Sequence, residues 1–464
     1  MNQITVGLLP LYVKLYDEVL PDLAKQVEPF AGRVATALRG AGVVVVPAPM
    51  ARTAPDFAAA VKQFETAGVD AIVTLHLAYS PSLEAADALA GTTLPVVMFD
   101  TTPDRDFGRG VDPSRLLANH GIHGVQDLAS VLRQRGKAYR VVAGHLEDAE
   151  TLPRCVAALR AARAVRCFRT MRVLRVGDRF AGMGDFAVAD ATLPGALGIA
   201  VETIQPGDLV ADAAAVSAGD MAEEMAADRE RYRVDCPEET HARSVRLGLG
   251  LRRYLERGRF GAFSVNFQSF TSDRDPVCTV PFLECCKAMA REVGYAGEGD
   301  AITAALVGAL SQGFGGTTFC EIFCADWAGN SLFLSHMGEI NPAVAAGKPL
   351  LYEKEYPFSA ALNPATLACA PRPGPATFVN LAPGPGGTFR LIVAPVTVLG
   401  DGTHPGYERW VRGWIQPTVP VSAFLEEFSH LGGTHHSALM LGDHRAALTA
   451  FGRLAGLEVC TVNS

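Results

Sequence analysis

Two glutamates and a pair of histidines stand where acid–base or metal chemistry would need them. Glu321 follows the apolar run "TTFC", and Glu339 closes "HMGE" after the apolar run "SLFLSHM". An acid flanked this closely by apolar residues is a candidate for burial. A buried carboxylate must be paired, protonated or bound to a metal. Two such acids on neighbouring segments could converge on one cation. Further on, residues 428–444 read "FSHLGGTHHSALMLGDH". Five of the eleven histidines (His404, His430, His435, His436 and His444) lie between 404 and 444. His435 and His436 are adjacent and follow Gly432 and Gly433, which would let the backbone bend and turn an imidazole inward. Carboxylate oxygens with one imidazole suit a divalent ion of the Mn²⁺ or Mg²⁺ kind better than a thiolate-rich zinc site. Taken one at a time, each acid is equally consistent with a solvated or salt-bridged residue, and each histidine with a hydrogen-bonded loop residue. Cys285, Cys286, Cys320 and Cys324 lack C-x-x-C spacing and read as small buried apolar residues.

The elements that must position these groups form three textures. The first ~165 residues alternate short apolar runs with amphipathic stretches. "ITVGLLP" (4–10), "AGVVVVPAP" (41–49), "DAIVTLHLA" (70–78), "LPVVMFD" (94–100) and "YRVVAGH" (139–145) read as strands buried on both faces. Helical patterns such as "PDFAAAVKQFETAG" (55–68) and "VQDLASVLRQRGK" (125–137) lie between them. That alternation implies a doubly wound parallel sheet, whose ligands sit beyond the carboxyl ends of its strands. No GxGxxG follows the first strand, so no dinucleotide site is expected. A second α/β unit begins near 169. There "MRVLRVGDRFAGMGDF" suggests strand, turn and strand, "RFGAFSVNFQSF" a strand, and "AITAALVGALSQGF" an apolar helix. From about 333 the chain becomes rich in Pro and Gly with short β-prone runs, an antiparallel barrel or sandwich. The expected fold is thus two doubly wound α/β domains (1–168 and 169–332) plus a C-terminal, mainly antiparallel, barrel-like β domain (333–464).

Composition narrows the function. At 464 residues, a prior of roughly 150 per domain also gives about three domains. Hydrophobic residues make up 49% and mean hydropathy is +0.17, ample for large cores and incompatible with a disordered chain. The net charge is −8, and the 41 basic residues are scattered among 49 acids, which argues against nucleic acid as partner. No stretch approaches the ~20 apolar residues that span a bilayer. "MNQITVGLLPLY" lacks the basic start and cleavage site of an export signal, and the ten irregularly spaced cysteines fit free thiols. The expectation is a cytoplasmic protein.

In chain order, the motifs resemble those of L-arabinose isomerase and, more distantly, L-fucose isomerase. "ANHGIHG" (118–124) looks like the family's histidine–glycine segment, "VVAGHLED" (141–148) like its Val-Val-Gly-His segment, and "RVGDRF" (175–180) like the turn opening its second domain. "FSVNF" (263–267) and "GYAGEGD" (294–300) resemble central-domain motifs, and "GGTTFCE", "HMGE" and "GGTHH" the segments that supply the metal ligands. The resemblance implies an aldose–ketose isomerase with a Mn²⁺-type ion, or another divalent cation such as Co²⁺ or Mg²⁺. It assigns Glu321, Glu339 and His436 as metal ligands, with the two glutamates dividing the proton transfer. His435 becomes a neighbour facing the substrate, and His336 stands beside the centre on the substrate side. His120 matches a position that reaches a sugar held by a neighbouring subunit, which implies a homo-oligomer. Asn266 and Glu298 sit in resembling motifs, although neither loop needs a chemical role.

That assignment fits the reaction. Aldose–ketose exchange moves a proton between C2 and C1 through a cis-enediol, and the C–H is weakly acidic until the neighbouring carbonyl is polarised. Paired carboxylates beside one cation have divergent pKa values and can take and return the proton. One departure stands out. The family resemblance implies a further metal-ligand histidine in a His-Pro segment after "GKP", whereas this chain has Tyr356 before Pro357 and no histidine between His336 and His404. Tyr356 or Glu355 could fill that place, with Tyr356 expected to meet substrate. The expected substrate is a free pentose or hexose. Rival readings are an epimerase or an isomerase of an unusual sugar on the same scaffold, and a non-catalytic sugar-binding protein built from two hinged lobes. The two glutamates and the histidine pair argue against the last.

Overall fold

The computed structural model describes residues 3–462. The chain divides into two compact units. The first runs to Arg166 and includes Ala447–Gly456; the second is Cys167–Ala446 with the residues from Leu457 onward.

The first unit holds five parallel strands: β1 (Thr5–Leu11), β2 (Val44–Pro47), β3 (Ala71–His76), β4 (Val96–Asp100) and β5 (Tyr139–Ala143). Their order is β2-β1-β3-β4-β5, a doubly wound sheet whose direction reverses beside β1. Every residue of β3 is buried, as expected of a central parallel strand. Helix Ala54–Ala67 starts with a reciprocal capping box between Thr53 and Asp56 and stops at Gly68 in the left-handed conformation (φ 66°). Its Phe64 ring lies over Gly7, where a Cβ would come within 2.4 Å of the ring, so β1 needs glycine there. Leu9, Phe57, Phe64, Ile72, Val96, Met98 and Leu128 form this unit's core.

The second unit holds β6 (Arg172–Val176), β7 (Ala200–Ile204), β8 (Arg233–Asp235), β9 (Ala262–Val265) and β10 (Gly294–Gly297). They are followed by β11 (Thr317–Asp326), β12 (Ser331–Ser335), β13 (Leu350–Glu353), β14 (Ala365–Ala368), β15 (Gly374–Pro383), β16 (Phe389–Val398), β17 (Gly413–Pro417), β18 (His436–Leu441) and β19 (Glu458–Thr461). A parallel sheet runs β10-β9-β6-β7, and β14-β13-β8 form a small mixed sheet. The remaining strands run β15-β18-β11-β12-β17-β16, and β15 pairs back to β16, closing an antiparallel barrel; β19 adds alongside β16. Cys320, Leu334, Phe378, Ile392, Ile415 and Leu439 fill its core. The α/β and barrel architectures are therefore those expected.

Details differ. The barrel takes its first strand from Thr317, ahead of residue 333. "GYAG" is strand β10. No second strand follows β6 within residues 177–189, because Asp190 is drawn back onto Arg175 and Arg179 and Gly177 turns at φ 84°. Cys285, Cys286 and Cys320 are buried as expected, but Cys324 is exposed beside a bulge in β11. Among the described residues, no helix is long and apolar enough to cross a membrane.

Candidate metal centre

Strand alternation sends successive side chains to opposite faces. With Cys320 in the barrel core, Glu321 points outward. Register then places Glu321 opposite His436 on β18 and opposite Ser335 on β12, the residue before His336. Three candidate groups thus share one patch of outer wall. The parallel sheet supplies the facing groups from its carboxyl ends. Glu298 follows β10, and Asp300 caps helix Ala301–Phe314 by accepting from the Ile302 and Thr303 amides at 3.0 Å.

Glu298 is held in the left-handed region (φ 65°), unusual for a residue with a side chain. Its amide donates to the Val265 carbonyl at 2.8 Å, and its carbonyl accepts from Phe180 at 2.9 Å. The next residue is fixed by Arg175, which donates to the Gly299 carbonyl, and by Ser264, which accepts from the Gly299 amide. At Gly297 a Cβ would meet His336 Cε1 at 2.6 Å, so glycine lets the imidazole approach.

Each of three imidazoles is held at Nδ1 by a carboxylate. His336 meets Glu339 at 2.7 Å, His435 meets Asp185 at 2.6 Å and His436 meets Asp300 at 3.1 Å. Phe319 stands edge-on to His336 and His436, while Phe186 stacks on His436 with its centroid 5.4 Å away. Orientation and tautomer are thereby set, as around metal-bound histidines. All three Nε2 atoms are buried without a hydrogen-bond partner among the described residues. They face carboxylates just beyond hydrogen-bond reach. His435 and His436 Nε2 each lie 3.6 Å from Glu298 Oε2, and His336 Nε2 lies 3.8 Å from Glu321 Oε2. Donor atoms of Glu321, His336 and His436 fall within 4.8 Å of one another, as do those of Glu298, His435 and His436. Ligands about 2.1 Å from a common ion stand roughly 3–3.5 Å apart, so the spacing fits a shared cation.

The electrostatics agree. Burial would raise the Glu298 carboxyl, but the three imidazoles outweigh it and hold the carboxyl below its usual range. Burial would lower His336; Glu339 outweighs it and raises the imidazole. Burial likewise opposes the charged form of Glu339, yet His336 and the Tyr295 hydroxyl keep it ionised. His435 is lifted to about 10 against its burial by Asp185 and Glu298, and Asp185 is held at about 2. An ion would replace the protons that these imidazoles hold.

The expected site residues separate into layers. Glu321, His336 and His436 converge, with His435 and Glu298 beside them. Glu339, expected as a ligand, is hydrogen-bonded through both oxygens: one accepts from Tyr295 at 2.6 Å and the other takes His336 Nδ1. Tyr356 is buried, its hydroxyl has no partner among the described residues, and Glu355 is exposed. His120 lies in the first unit, 3.1 Å from the Tyr16 hydroxyl, with Tyr79 stacked on it and His123 nearby. Sequence reasoning passed over the part played by Glu298, Asp300 and Asp185. For Glu298 a signal existed: an acid between glycines at the carboxyl end of an apolar strand.

Family models match most of the second unit, the L-arabinose isomerase central domain over residues 172–313 and its C-terminal domain over 316–458. L-arabinose isomerase 1 of Bacillus licheniformis is 31% identical over 422 residues, covering 87% of this chain and 83% of its own. The chain belongs to the L-arabinose isomerase family. That family consists of intramolecular oxidoreductases that interconvert aldoses and ketoses. L-arabinose isomerase of Yersinia pestis bv. Antiqua is 28% identical over 471 residues, covering 96% of this chain and 92% of its own. Among solved structures, a sugar-binding protein of a sugar ABC transporter from Bacillus halodurans is similar at 10% identity, covering 69% of this chain and 90% of its own. Its TM-score of 0.17 carries no argument.

Proposed function

We propose that this chain is a divalent-metal-dependent isomerase of a free pentose or hexose, working through a cis-enediol. The observation that carries the reading is the set of buried, unpartnered imidazole Nε2 atoms aimed at two carboxylates. Glu298, Glu321, His336 and His436 would hold the ion, of the Mn²⁺ kind or alternatively Co²⁺ or Mg²⁺. When bound, it supplies a Lewis acid for the carbonyl and its neighbouring hydroxyl. Glu339 and Asp300 then act as positioning residues that keep His336 and His436 with Nε2 free. Glu321, whose side chain is 22% exposed, borders the open side. It and Glu298 are the carboxylates placed to take a proton from C2 and return it to C1. His435 faces the substrate. Carboxylates and imidazoles ringing the centre favour a neutral sugar over a sugar phosphate.

A homo-oligomer is part of the proposal, with His120 reaching a neighbouring copy's substrate. Around it, Leu15 (55%), Val19 (59%), Leu116 (48%) and Ile122 (49%) are exposed, and helix Lys14–Val19 buries no residue. The ten free cysteines support a cytoplasmic location.

The test is a panel of aldoses and ketoses incubated with enzyme and Mn²⁺ in D₂O. Deuterium at C1 or C2 with ketose formed supports the isomerase, while deuterium at C2 alone indicates an epimerase. Exchange that survives exhaustive chelation by EDTA overturns the metal dependence.

A further inference from the structure

We propose that Tyr356 determines which sugar this enzyme accepts, its hydroxyl hydrogen-bonding a substrate hydroxyl away from the carbons that exchange the proton. The inference rests on the isomerase reading above and names a group that reading leaves unused.

Tyr356 is 4% exposed, yet its hydroxyl has no hydrogen-bond partner among the described residues. The ring cannot swing to find one. Phe267 and Phe282 meet it edge-on, at 5.6 and 5.1 Å between centroids, and Phe358 closes at 5.5 Å. Its backbone is pinned as well. The Tyr356 amide donates to Asn363 Oδ1 at 3.1 Å, and Ser359 ties the same loop to the Phe267 and Phe270 carbonyls. A buried hydroxyl left unpaired costs stability, and phenylalanine would fill this slot without that cost. The oxygen therefore has a use that packing does not explain.

Its neighbours lead to the centre from two sides. Phe267 stands just past the carboxyl end of β9, the strand beside the one that ends at Glu298. Phe282 packs against Gly338, where a Cβ would lie 3.2 Å from its ring, and Glu339 is the next residue. The charges of Glu339 and Glu298 reach the phenol and, after burial, are what push its pKa up. The hydroxyl thus stays protonated and able to donate. A site built to hydrogen-bond one substrate hydroxyl rejects sugars that lack or invert it by orders of magnitude. Tyr356 also occupies the position where the family resemblance calls for histidine. The histidine expected there is a metal ligand, whereas a phenol is a neutral hydrogen-bond donor, so the exchange frees this position to contact a sugar hydroxyl.

The experiment compares wild type and Tyr356→Phe on L-arabinose, D-galactose, L-fucose and D-ribose with saturating Mn²⁺, alongside melting temperature and Mn²⁺ affinity. The expected result is an unchanged or higher melting temperature and unchanged Mn²⁺ affinity. With these, kcat/KM on the preferred sugar falls about tenfold or more and the spread between sugars narrows. Wild-type kcat/KM values for every sugar in the variant overturn the proposal. So does a lower melting temperature with the ranking of sugars intact, which assigns the tyrosine to packing. Failure of the wild type to exchange deuterium into any aldose or ketose of the panel above overturns the isomerase reading, and this inference with it.

Discussion

Glu339→Gln separates the layered centre described above from the arrangement suggested by sequence spacing. Glu339 is buried, accepting from Tyr295 through one oxygen and from His336 Nδ1 through the other. Glutamine has the same shape. Its carbonyl still accepts from His336, and its amide faces the Tyr295 oxygen. What disappears is the charge. A hydrogen bond to a charged partner is worth roughly 1.5–3 kcal/mol. That range corresponds to roughly 10–100-fold in an equilibrium constant, the usual effect of removing a carboxylate behind a ligating histidine. Calorimetric titration of metal-stripped Glu339→Gln with MnCl₂ is therefore expected to show affinity 10–100-fold weaker than wild type. At Mn²⁺ concentrations that saturate the variant, kcat should return to within several-fold of wild type if Glu339 acts, as proposed, only by positioning His336. If turnover stays lower by orders of magnitude at saturating Mn²⁺, Glu339 is itself ligand or base and the layered centre is wrong.

Other perturbations probe neighbouring links. Asp300→Ala removes both a helix cap and the partner of His436, so it should cost about 0.5–2 kcal/mol of stability and weaken Mn²⁺ binding. Asp300→Ser should recover the melting temperature but not the affinity; recovery of both would show that His436 needs no carboxylate. Glu298→Gln should abolish turnover while the far-UV spectrum and melting temperature stay near wild type, and a fully active variant would remove Glu298 from the centre. His76 tests the first unit. Burial pushes its imidazole down to about 3, and both ring nitrogens lack partners among the described residues. The unfolded chain takes a proton near pH 6.5 that the native state refuses. The contribution of neutral His76 is thus fully present above pH 6.5 and is lost as pH falls toward 3, up to roughly 4–5 kcal/mol. Urea unfolding of His76→Leu between pH 7 and 4 should show a flatter decline than wild type, and parallel curves would refute the assignment.

The parallel strands were legible because strands buried on both faces read as unbroken β-branched runs, as in "DAIVTLHLA". Gly432 also behaves as its place before the histidine pair suggests, turning at φ 79°. The barrel's start was less legible, since β11 mixes buried and exposed residues and lacks a clean alternation. The centre itself is a product of topology. "HMGE" contains both His336 and Glu339, and nothing local says which of them faces inward. The proposed choice of His336 rests on the hydroxyl of Tyr295, which reaches Glu339 from a distant strand. Glu298 and Glu321 each come near His436 through the fold, Glu298 with its oxygen 3.6 Å from Nε2 and Glu321 by strand register, a proximity that linear spacing does not encode. Under the proposed function, His336, one turn before Glu339, takes the place of the ligand histidine that the sequence lacks at Tyr356.

Under the proposed function, Glu298, Glu321, His336 and His436 hold one cation. That assignment is tested most directly by titrating metal-stripped wild-type, His336→Ala and His436→Ala protein with MnCl₂ in the calorimeter. The account predicts one Mn²⁺ per chain for wild type, and loss of that binding in both variants. Wild-type affinity and stoichiometry in His336→Ala, or no stoichiometric binding by wild type, would contradict it.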